Sequence, residues 1–552
     1  MSRKQISQYI FERIKAAGVD CTFGIPGDYI LPLYAAQESF GLKTVVMTHE
    51  PSLGFAADAY ARIKGLGVAL VTYGSGGLNM INPTACAYAE ESPLLIIGGA
   101  PETKMRREPA RLHHCVKTFN TQKNVYSEVT AVSAIIDNVS EAQSAIDHVF
   151  ETILSTSRPG YLELPRDMMN VEMDVDEYKS TIAISDRSSD TELAIALIRE
   201  RLSRSKQAVI MAGVELSRFR LLESVCEISE ALNISVVTSM LGKSSFPESH
   251  ANFIGNYFGQ FSNPAIKEFV EDCDCIIGLG VVLTEMETGG YSAKLPAEKL
   301  ILINNEEISI AGQKFEGLNF KNFIQELANG IIGGAGSNGS KEFYKQFLVP
   351  RIPPEEISKS DNSLSVGHII TAINSVMEDD LCIVCDTGDC LYAGLSIKTD
   401  TFIAPGYYST MGFGVPASIG VQLADRKKRP IVLVGDGGFQ MTGMELATAV
   451  KEGLNPIVIV FNNASYAMLK FIDRERPYYG IPNWDYAGIA QAIGLSGYRT
   501  ETCLEFNTAL RKALQSDTPV LIDAVLSPED ISPTLRRLTD HFGKKMRAVT
   551  VS

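Results

Sequence analysis

The sequence lacks any long uncharged apolar stretch. No segment reaches the roughly 18 apolar residues that a membrane-spanning helix requires. Nothing after Met1 is typical of a secretory signal, because the amphipathic pattern over residues 6–17 has charged side chains within it. These absences predict a protein without a membrane partner.

Positive charge is also scarce. Lys and Arg together number 50 and Asp and Glu 65, which gives a net charge of −15. Proteins that bind nucleic acid need a positive surface to contact the phosphate backbone, so we expect no nucleic-acid partner. The middle of the chain lacks a GxGxxG motif, and a dinucleotide site there therefore has no support.

The cysteines occur without the spacing of a zinc site or of a disulfide framework. Cys382 and Cys385 form a CxxC with Cys390 nearby, but neither a second CxxC nor histidine ligands accompany them. Their apolar neighbours favour small residues of a buried strand. The ten cysteines therefore indicate a reducing environment, and we expect the protein in the cytoplasm.

What the sequence does contain is the composition of a globular protein, with 45% hydrophobic and 21% charged residues. Its 552 residues are too many for one hydrophobic core, and two polar stretches, residues 174–191 and 333–362, are typical of linkers. Short β-branched runs alternate with helical patterns between these stretches. The chain is therefore predicted to consist of three α/β domains, at residues 1–175, 190–333 and 362–552.

The most informative motif is Gly435-Asp436-Gly437, followed after a gap of 24 residues by Asn462-Asn463. A strand-like apolar run precedes each part, and a helical pattern lies between them, as in two parallel strands joined by a helix. Aspartate and asparagine at neighbouring strand ends suit Mg²⁺, which prefers oxygen ligands and shares them with phosphate. A lone Gly-Asp-Gly would indicate no more than a surface turn, but the combination favours a Mg²⁺–phosphate site.

Three further segments carry candidate functional residues in the first domain. Residues 23–28 form a turn-rich loop that ends in Asp28. Glu50 lies between a predicted strand and a predicted helix, which is where ligands bind in open α/β sheets. The alternative for Glu50 is helix capping. His113 and His114 lie in a polar loop, where the alternative is a pair of solvated side chains.

Together these segments resemble the thiamine diphosphate-dependent 2-oxo acid decarboxylases, over essentially the whole chain. The resemblance implies three doubly wound parallel-sheet domains of the α/β class: pyrimidine-binding, middle and diphosphate-binding, in that order. Residues 407–414 and 462–469 look most like the bacterial phenylpyruvate/indole-3-pyruvate decarboxylases within this family.

The resemblance implies thiamine diphosphate and Mg²⁺ as cofactors. Asp436, the side-chain oxygen of Asn463 and the backbone carbonyl of Ser465 would hold the Mg²⁺, which bridges the diphosphate. Met411 would be the bulky residue against which the cofactor bends. The other positions that match cofactor-binding residues of the family are Thr387, Gly388, Asp389, Ser409, Gly435, Gly437, Gly438, Tyr466, Ala467 and Met468.

The reaction that the resemblance implies is the non-oxidative decarboxylation of a small-molecule 2-oxo acid to an aldehyde and CO₂. Glu50 would bind N1′ of the cofactor's pyrimidine and so activate the cofactor, which carries the difficult step as an electron sink. Asp28, His113 and His114 would donate and accept the protons of the later steps.

One position departs from many pyruvate decarboxylases of the family. Leu469 stands where they have a glutamate, six residues after Asn463. A leucine makes the predicted pocket more apolar, which favours phenylpyruvate or indole-3-pyruvate over pyruvate. Members with that preference use an acid of the middle domain, and the matching stretch makes Glu285 the candidate here. The alternative for Glu285 is a surface acid.

Self-association is implied as well, because in this family the glutamate that matches Glu50 meets the metal site of another subunit. A homodimer is the expected minimum, and a dimer of dimers the expected assembly. Two alternatives to simple decarboxylation stay open: an acyloin-forming carboligase and a catalytically degenerate structural or regulatory homologue. The histidine pair favours decarboxylation, and Glu50, Asp436 and Asn463 argue against a degenerate homologue.

Overall fold

The computed structural model describes residues 2–107, 111–178, 189–332, 362–473 and 475–550 of the chain. Much of the first predicted linker (residues 179–188) and nearly all of the second (residues 333–361) lie outside these ranges. Among the described helices, none is both long and apolar enough to cross a membrane.

The first large sheet lies in the N-terminal third of the chain. Its region contains the strands β1 Ser2–Gln5, β2 Cys21–Gly24, β3 Lys43–Val46, β4 Gly67–Val71, β5 Leu94–Ala100, β6 Val132–Ile135, β7 Gly160–Pro165 and β8 Glu172–Val175. Strands β2 to β7 form a parallel sheet in the order β3-β2-β4-β5-β7-β6, and β1 pairs antiparallel with β8. The helices here are Ile6–Ala16, Leu31–Phe40, Glu50–Lys64, Ser75–Asn79, Ile81–Ala89, Thr103–Arg107, Thr121–Ser127 and Val139–Thr156.

The middle sheet is mixed. Its strands are β9 Ala208–Ala212, β10 Ser235–Thr238, β11 Phe253–Asn256, β12 Cys275–Leu279, β13 Leu300–Ile303, β14 Ile308–Ile310 and β15 Gln313–Phe315, in the order β11-β10-β9-β12-β13-β14-β15. The first five of this order are parallel, whereas β14 and β15 are antiparallel to their neighbours. A two-residue turn at Ala311–Gly312, with positive φ at both residues, closes this edge hairpin. The helices are Ser189–Arg204, Val214–Arg218, Leu222–Leu232, Pro264–Asp272 and Phe320–Ile332.

The third sheet is parallel and lies in the C-terminal third. Its strands are β16 Leu381–Cys385, β17 Phe402–Ile403, β18 Arg429–Gly435, β19 Ile457–Asn462, β20 Ser496–Thr500 and β21 Val520–Val525, in the order β17-β16-β18-β19-β21-β20. The α-helices are Val366–Val376, Asp389–Gly394, Gly414–Ala424, Asp436–Thr442, Leu446–Lys451, Ala467–Ile472, Tyr486–Ala492, Cys503–Leu514 and Pro533–Thr550, with 3₁₀ turns at Gly443–Glu445 and Pro477–Tyr479.

The predicted α/β class with three wound sheets is confirmed. Residues 431–434 and 457–461 are buried, as the continuous apolar runs indicate for central strands covered on both faces. Cys382 and Cys385 are buried in β16, as interpreted from the sequence. The exact boundaries of the three domains stay a prediction.

The N-terminal and C-terminal sheets are joined through two packed helices. Helix Glu50–Lys64 lies against helix Gly414–Ala424, whose residues are all buried. The two backbones approach so closely that a Cβ at Gly420 would overlap the carbonyl oxygen of Ala56. This contact fixes where the first turn of helix Glu50–Lys64, and with it Glu50, lies relative to the third sheet.

Candidate active site

The two predicted metal ligands meet at one edge of the third sheet. Asp436 follows β18 and Asn463 follows the neighbouring strand β19, which pairs in parallel with it. The buried Asp436 carboxylate accepts the N–H of Asn463 at 3.0 Å, that of Ala464 at 2.6 Å and that of Gly437 at 2.8 Å. These bonds hold the loop after β19 against the end of β18.

Burial raises the pKa of Asp436 to about 6, against the lowering effect of its backbone N–H donors. The charged form is therefore costly without a cation beside it, and a divalent cation at the carboxylate would restore it. The first asparagine of the motif has a structural role, because Asn462 is buried and donates its side-chain amide to Asp523 at 2.8 Å.

The loop with Ser465 is held by a short antiparallel bridge to residue Gly480. Its backbone bonds run from Tyr466 N–H to the Tyr479 carbonyl at 2.8 Å and from Ile481 N–H to the Ala464 carbonyl at 3.1 Å. The Ser465 carbonyl thus lies outside the bridge. It accepts one bond, from Ala467 N–H at 2.9 Å, and a carbonyl oxygen has a second lone pair for a metal. We call Asp436, Asn463 and Ser465 the metal cluster.

The Met411 side chain lies beside Gly437 of the motif. A Cβ at Gly437 would be 3.4 Å from the Met411 side chain and 2.6 Å from the Tyr466 ring. The Met411 loop is held by Asp386, whose carboxylate accepts the N–H groups of Gly412 at 3.1 Å and Gly414 at 2.8 Å. Burial raises the pKa of Asp386 to about 6.

Sequence reasoning missed Asp386. The available signal was an acid directly after the apolar run of β16, the same arrangement that led to Asp436 after β18.

The remaining predicted cofactor residues lie at the same edge of the third sheet, but the Asp389 side chain is engaged elsewhere. Gly388 has a φ of +77° and open space around it, so its backbone is accessible. Ser409 is exposed with a φ of +56°. The Asp389 carboxylate, in contrast, accepts the N–H of Ser532 at 2.9 Å and is engaged with the C-terminal segment. Around them lie Thr387, Gly435, Gly438, Ala467 and Met468, which are half-buried or buried.

The first domain brings the two predicted histidines to Asp28. His113 Nε2 is 2.8 Å from the Asp28 carboxylate, and the rings of His113 and His114 lie 4.7 Å apart. Hydroxyl groups contact the other ring nitrogens: Tyr29 is 3.4 Å from His113 Nδ1 and Ser75 is 3.2 Å from His114 Nδ1. We call Asp28, His113 and His114 the histidine cluster; all three side chains are exposed.

The backbone beneath the histidine cluster is tightly packed. Gly74 has a φ of +68°, and a Cβ there would overlap the His114 carbonyl oxygen. The Gly74 N–H donates to the Gln122 side chain at 2.7 Å. Only glycine at residue 74 therefore allows the histidine loop to lie where it does.

Glu50 is the first residue of helix Glu50–Lys64. Its carboxylate accepts a hydrogen bond from the Asn79 side-chain amide at 2.9 Å. Gly76 leaves room beside it, since a Cβ there would lie 3.4 Å from Glu50 Oε1.

Within one chain, two hydrogen bonds join residues of the first domain to residues of the third that lie outside the two clusters. Thr48 donates its hydroxyl to Glu445 at 2.6 Å, and Asn82 donates to Thr410 at 3.1 Å. Across the residues that the structure describes, no hydrogen bond or ion pair joins Glu50 or the histidine cluster to the metal cluster.

The middle-domain stretch predicted to supply the catalytic substitute contains two acids, Glu285, which is the predicted residue, and Glu287. Glu285 is exposed. Glu287, two residues later, is 3% exposed, accepts the N–H groups of Met240 at 3.0 Å and of Leu241, and has its pKa raised to about 7 by burial. The side chain of Leu469 is 46% exposed.

Comparison with known proteins identifies the family. Three models of thiamine pyrophosphate enzymes match: the N-terminal TPP binding domain over residues 4–125, the central domain over 195–327 and the C-terminal TPP binding domain over 386–524. An indole-3-pyruvate decarboxylase of Azospirillum brasilense is 33% identical over 545 residues, 97% of each chain. The chain belongs to the thiamine diphosphate-dependent 2-oxo acid decarboxylases.

Other relatives agree with this assignment. A probable pyruvate decarboxylase of Schizosaccharomyces pombe is 29% identical over 96% of this chain and 94% of its own. A pyruvate decarboxylase of Hanseniaspora uvarum is 29% identical over 90% of each chain. As a member of this family, the protein is an enzyme that uses thiamine diphosphate to decarboxylate a 2-oxo acid.

The site of this decarboxylase fits its cofactor. The metal cluster offers a carboxylate, an amide oxygen and a backbone carbonyl, an all-oxygen set of the kind that Mg²⁺ prefers. The backbones of Gly388 and Gly435 have open space beside them at this sheet edge. The predicted cofactor is thus supported by the donor set as well as by the family.

Proposed function

We propose that the substrate is an aromatic 2-oxo acid, phenylpyruvate or indole-3-pyruvate. The observation that carries this proposal is Leu469: an apolar side chain, half exposed at the edge of the metal loop, stands where many pyruvate decarboxylases have a glutamate. An apolar wall favours an aromatic ring over a methyl group. The name of the A. brasilense relative, indole-3-pyruvate decarboxylase, agrees with this choice.

In the proposed site, Asp436, Asn463 and Ser465 hold Mg²⁺, which binds the diphosphate of the cofactor. Thiamine diphosphate, when bound, supplies the electron sink that allows CO₂ to leave. Met411, whose loop is fixed by Asp386, would contact the bound cofactor. Glu50 would hold a proton at N1′ of the pyrimidine, and Asn79, which donates to the Glu50 carboxylate at 2.9 Å, would orient that carboxylate.

Proton transfer to and from the substrate is assigned to the histidine cluster. The 2.8 Å contact between Asp28 and His113 allows a proton to pass between them, and Ser75 orients His114. Glu285 stays the proposed substitute for the glutamate absent at Leu469, and its exposed side chain would have to turn towards the site.

We also propose that the active site is completed by a second copy of the chain, in a homodimer or a dimer of dimers. The absence of a hydrogen bond or ion pair between Glu50 and the metal cluster, among the described residues of one chain, supports this. Met441 and Met444 support it as well. They follow Asp436 in the chain and are 58% and 53% exposed, which is typical of apolar side chains that a partner covers.

Met444→Lys should dissociate the assembly and abolish turnover, whereas Leu154→Lys, at a residue 42% exposed on helix Val139–Thr156, should not. An active monomer in sedimentation velocity would contradict the proposal.

We propose a reducing, cytoplasmic location because the cysteines are unpaired. All ten lie in described parts of the chain and are free thiols, most of them buried in the core rather than placed for pairing.

Steady-state kinetics on a panel of aliphatic, branched and aromatic 2-oxo acids test the proposed substrate. We expect the highest kcat/KM for phenylpyruvate or indole-3-pyruvate, with the aldehyde and CO₂ in equal amounts. A higher kcat/KM for pyruvate would overturn the aromatic preference, and a hydroxyketone as the main product would favour the carboligase alternative.

A further inference from the structure

We propose that the histidine cluster is a second metal site, that it binds a borderline transition ion such as Zn²⁺, and that this binding inhibits the enzyme. The inhibition part of this inference rests on the proposed role of the cluster in proton transfer; the binding part does not. Asp28, His113 and His114 each offer one ligand atom, and these atoms all lie within 4.8 Å of one another.

The spacing suits a small tetrahedral ion. Zinc bonds of about 2.0–2.1 Å place neighbouring ligand atoms roughly 3.3 Å apart. The distances in the cluster bracket that value, from 2.8 Å between His113 Nε2 and Asp28 to the upper limit of 4.8 Å. Because all three side chains are exposed, small rotations of each are enough to close the set around an ion.

The histidines are already oriented as metal ligands usually are. Ligating imidazoles use one ring nitrogen for the metal and the other for an outer hydrogen-bond partner. Ser75 contacts Nδ1 of His114 at 3.2 Å, and Tyr29 contacts Nδ1 of His113 at 3.4 Å. These hydroxyls leave one nitrogen of each ring for the ion.

The local charge also favours a cation. The Arg166 guanidinium lies 5.7 Å from the Tyr29 ring, but it is paired with Glu102 at 2.9 Å. Among the described ion pairs, Asp28 is paired with His113 and with no Lys or Arg, so its carboxylate is available to a cation. The net charge of −15 adds a general attraction.

The two metal sites of the chain differ in ligand type. The metal cluster is built of oxygen ligands and suits Mg²⁺, whereas two imidazoles with one carboxylate suit Zn²⁺ and similar ions. Excess Mg²⁺ should therefore leave the histidine cluster free for Zn²⁺. An ion held there would occupy the atoms that donate and accept protons, and turnover would stop reversibly.

Calorimetric titration of the full chain, stripped of thiamine diphosphate and metals, tests the binding. With ZnCl₂ in the presence of excess Mg²⁺, we expect one Zn²⁺ per chain, and with CoCl₂ a visible ligand-field absorption. Ser75→Ala should weaken Zn²⁺ binding about 10- to 100-fold, as expected for an outer partner. His114→Asn should weaken it more. His148→Asn, at a histidine of helix Val139–Thr156 outside the cluster, is the matched control and should bind as the parent does.

Unchanged Zn²⁺ affinity in folded His114→Asn, judged by its melting temperature, would overturn the site. Inhibition is measured on the loaded enzyme at saturating Mg²⁺. The half-inhibiting Zn²⁺ concentration should rise in Ser75→Ala by the same factor as the Kd, and a chelator should restore turnover. Inhibition unaltered by Ser75→Ala would overturn the inhibitory role. If no 2-oxo acid is turned over, the proposed function fails, and the titration still decides the metal site.

Discussion

The carboxylate of Asp386 accepts the backbone N–H of Gly412 at 3.1 Å, one residue beyond Met411. With the second bond, from Gly414, it anchors the loop that brings Met411 beside Gly437. The position of Met411, which is proposed to support the cofactor, is thus set by a buried acid at the end of β16.

Asp386→Asn should lower activity because the amide replaces one accepting oxygen by a donor. Hydrogen bonds to a charged group contribute about 1.5–3 kcal/mol, so we expect kcat/KM to fall about 10- to 100-fold, together with a higher KM for thiamine diphosphate. Asp274→Asn is the control, since the Asp274 carboxylate also accepts two backbone N–H groups, in the middle domain and outside the site. Equal kinetics in the two variants would contradict the role of Asp386.

Glu50→Gln should remove the proton that activates the cofactor. We expect kcat to fall about 100- to 10,000-fold, the range of general acid–base contributions, while thiamine diphosphate still binds, as measured by the quenching of protein fluorescence. Glu38→Gln, at an exposed glutamate of helix Leu31–Phe40, serves as the matched variant and should keep parental turnover. Normal turnover in Glu50→Gln would rule out the proposed role.

The stability of the protein should depend on pH through Glu287. Burial raises the pKa of Glu287 from 4.5 to about 7, so the folded chain holds a proton that the unfolded chain releases. Its contribution is fully present below pH 4.5 and is lost as the pH rises through about 7, by up to about 3 kcal/mol.

Glu287→Gln should remove this pH dependence. We expect the melting temperature of the variant to fall less than that of the parent between about pH 5.5 and about pH 8. Glu285→Gln, two residues away and exposed, should follow the parent. The same Glu285→Gln protein also tests its proposed catalytic part, which predicts a lower kcat at an unchanged melting temperature.

Leu469→Glu should shift the substrate preference. A carboxylate in the proposed apolar wall would weaken the contact with an aromatic ring, and loss of such contacts typically changes kcat/KM by about 10- to 200-fold. We expect that fall for phenylpyruvate and a smaller one, or a gain, for pyruvate. Leu504→Glu is the matched control, because Leu504 is 43% exposed on helix Cys503–Leu514, against 46% for Leu469. A parallel fall for both substrates would refute the pocket assignment.

The sequence was sufficient for the parts of the site that are local along the chain. Apolar runs identified β18 and β19, and parallel pairing of neighbouring strands then brings Asp436 and Asn463 together without further information. The position of Asp386 after the apolar run of β16 was visible in the same way, but its role could not be predicted, because it depends on a loop that begins 25 residues later and returns to β16 in three dimensions.

The sequence was not sufficient to predict very short strands or the burial of individual acids. Strands β14 and β15 have three residues each, too few to show a period, and the antiparallel edge of the middle sheet depends on the turn at Ala311–Gly312. Likewise, no sequence pattern distinguishes the exposed Glu285 from the buried Glu287, since their difference arises from the Met240 loop that packs over one of them.

The close contact between Ala56 and Gly420 has a consequence for biosynthesis. Helix Glu50–Lys64 emerges from the ribosome 360 residues before helix Gly414–Ala424 ends. Translation proceeds at about 5–20 residues per second, so the apolar face of the earlier helix stays uncovered for roughly 20–70 s before the later helix can pack on it. During that time the nascent chain exposes an apolar surface, and its yield in the cell should depend on chaperones that shield this face until helix Gly414–Ala424 has been synthesised.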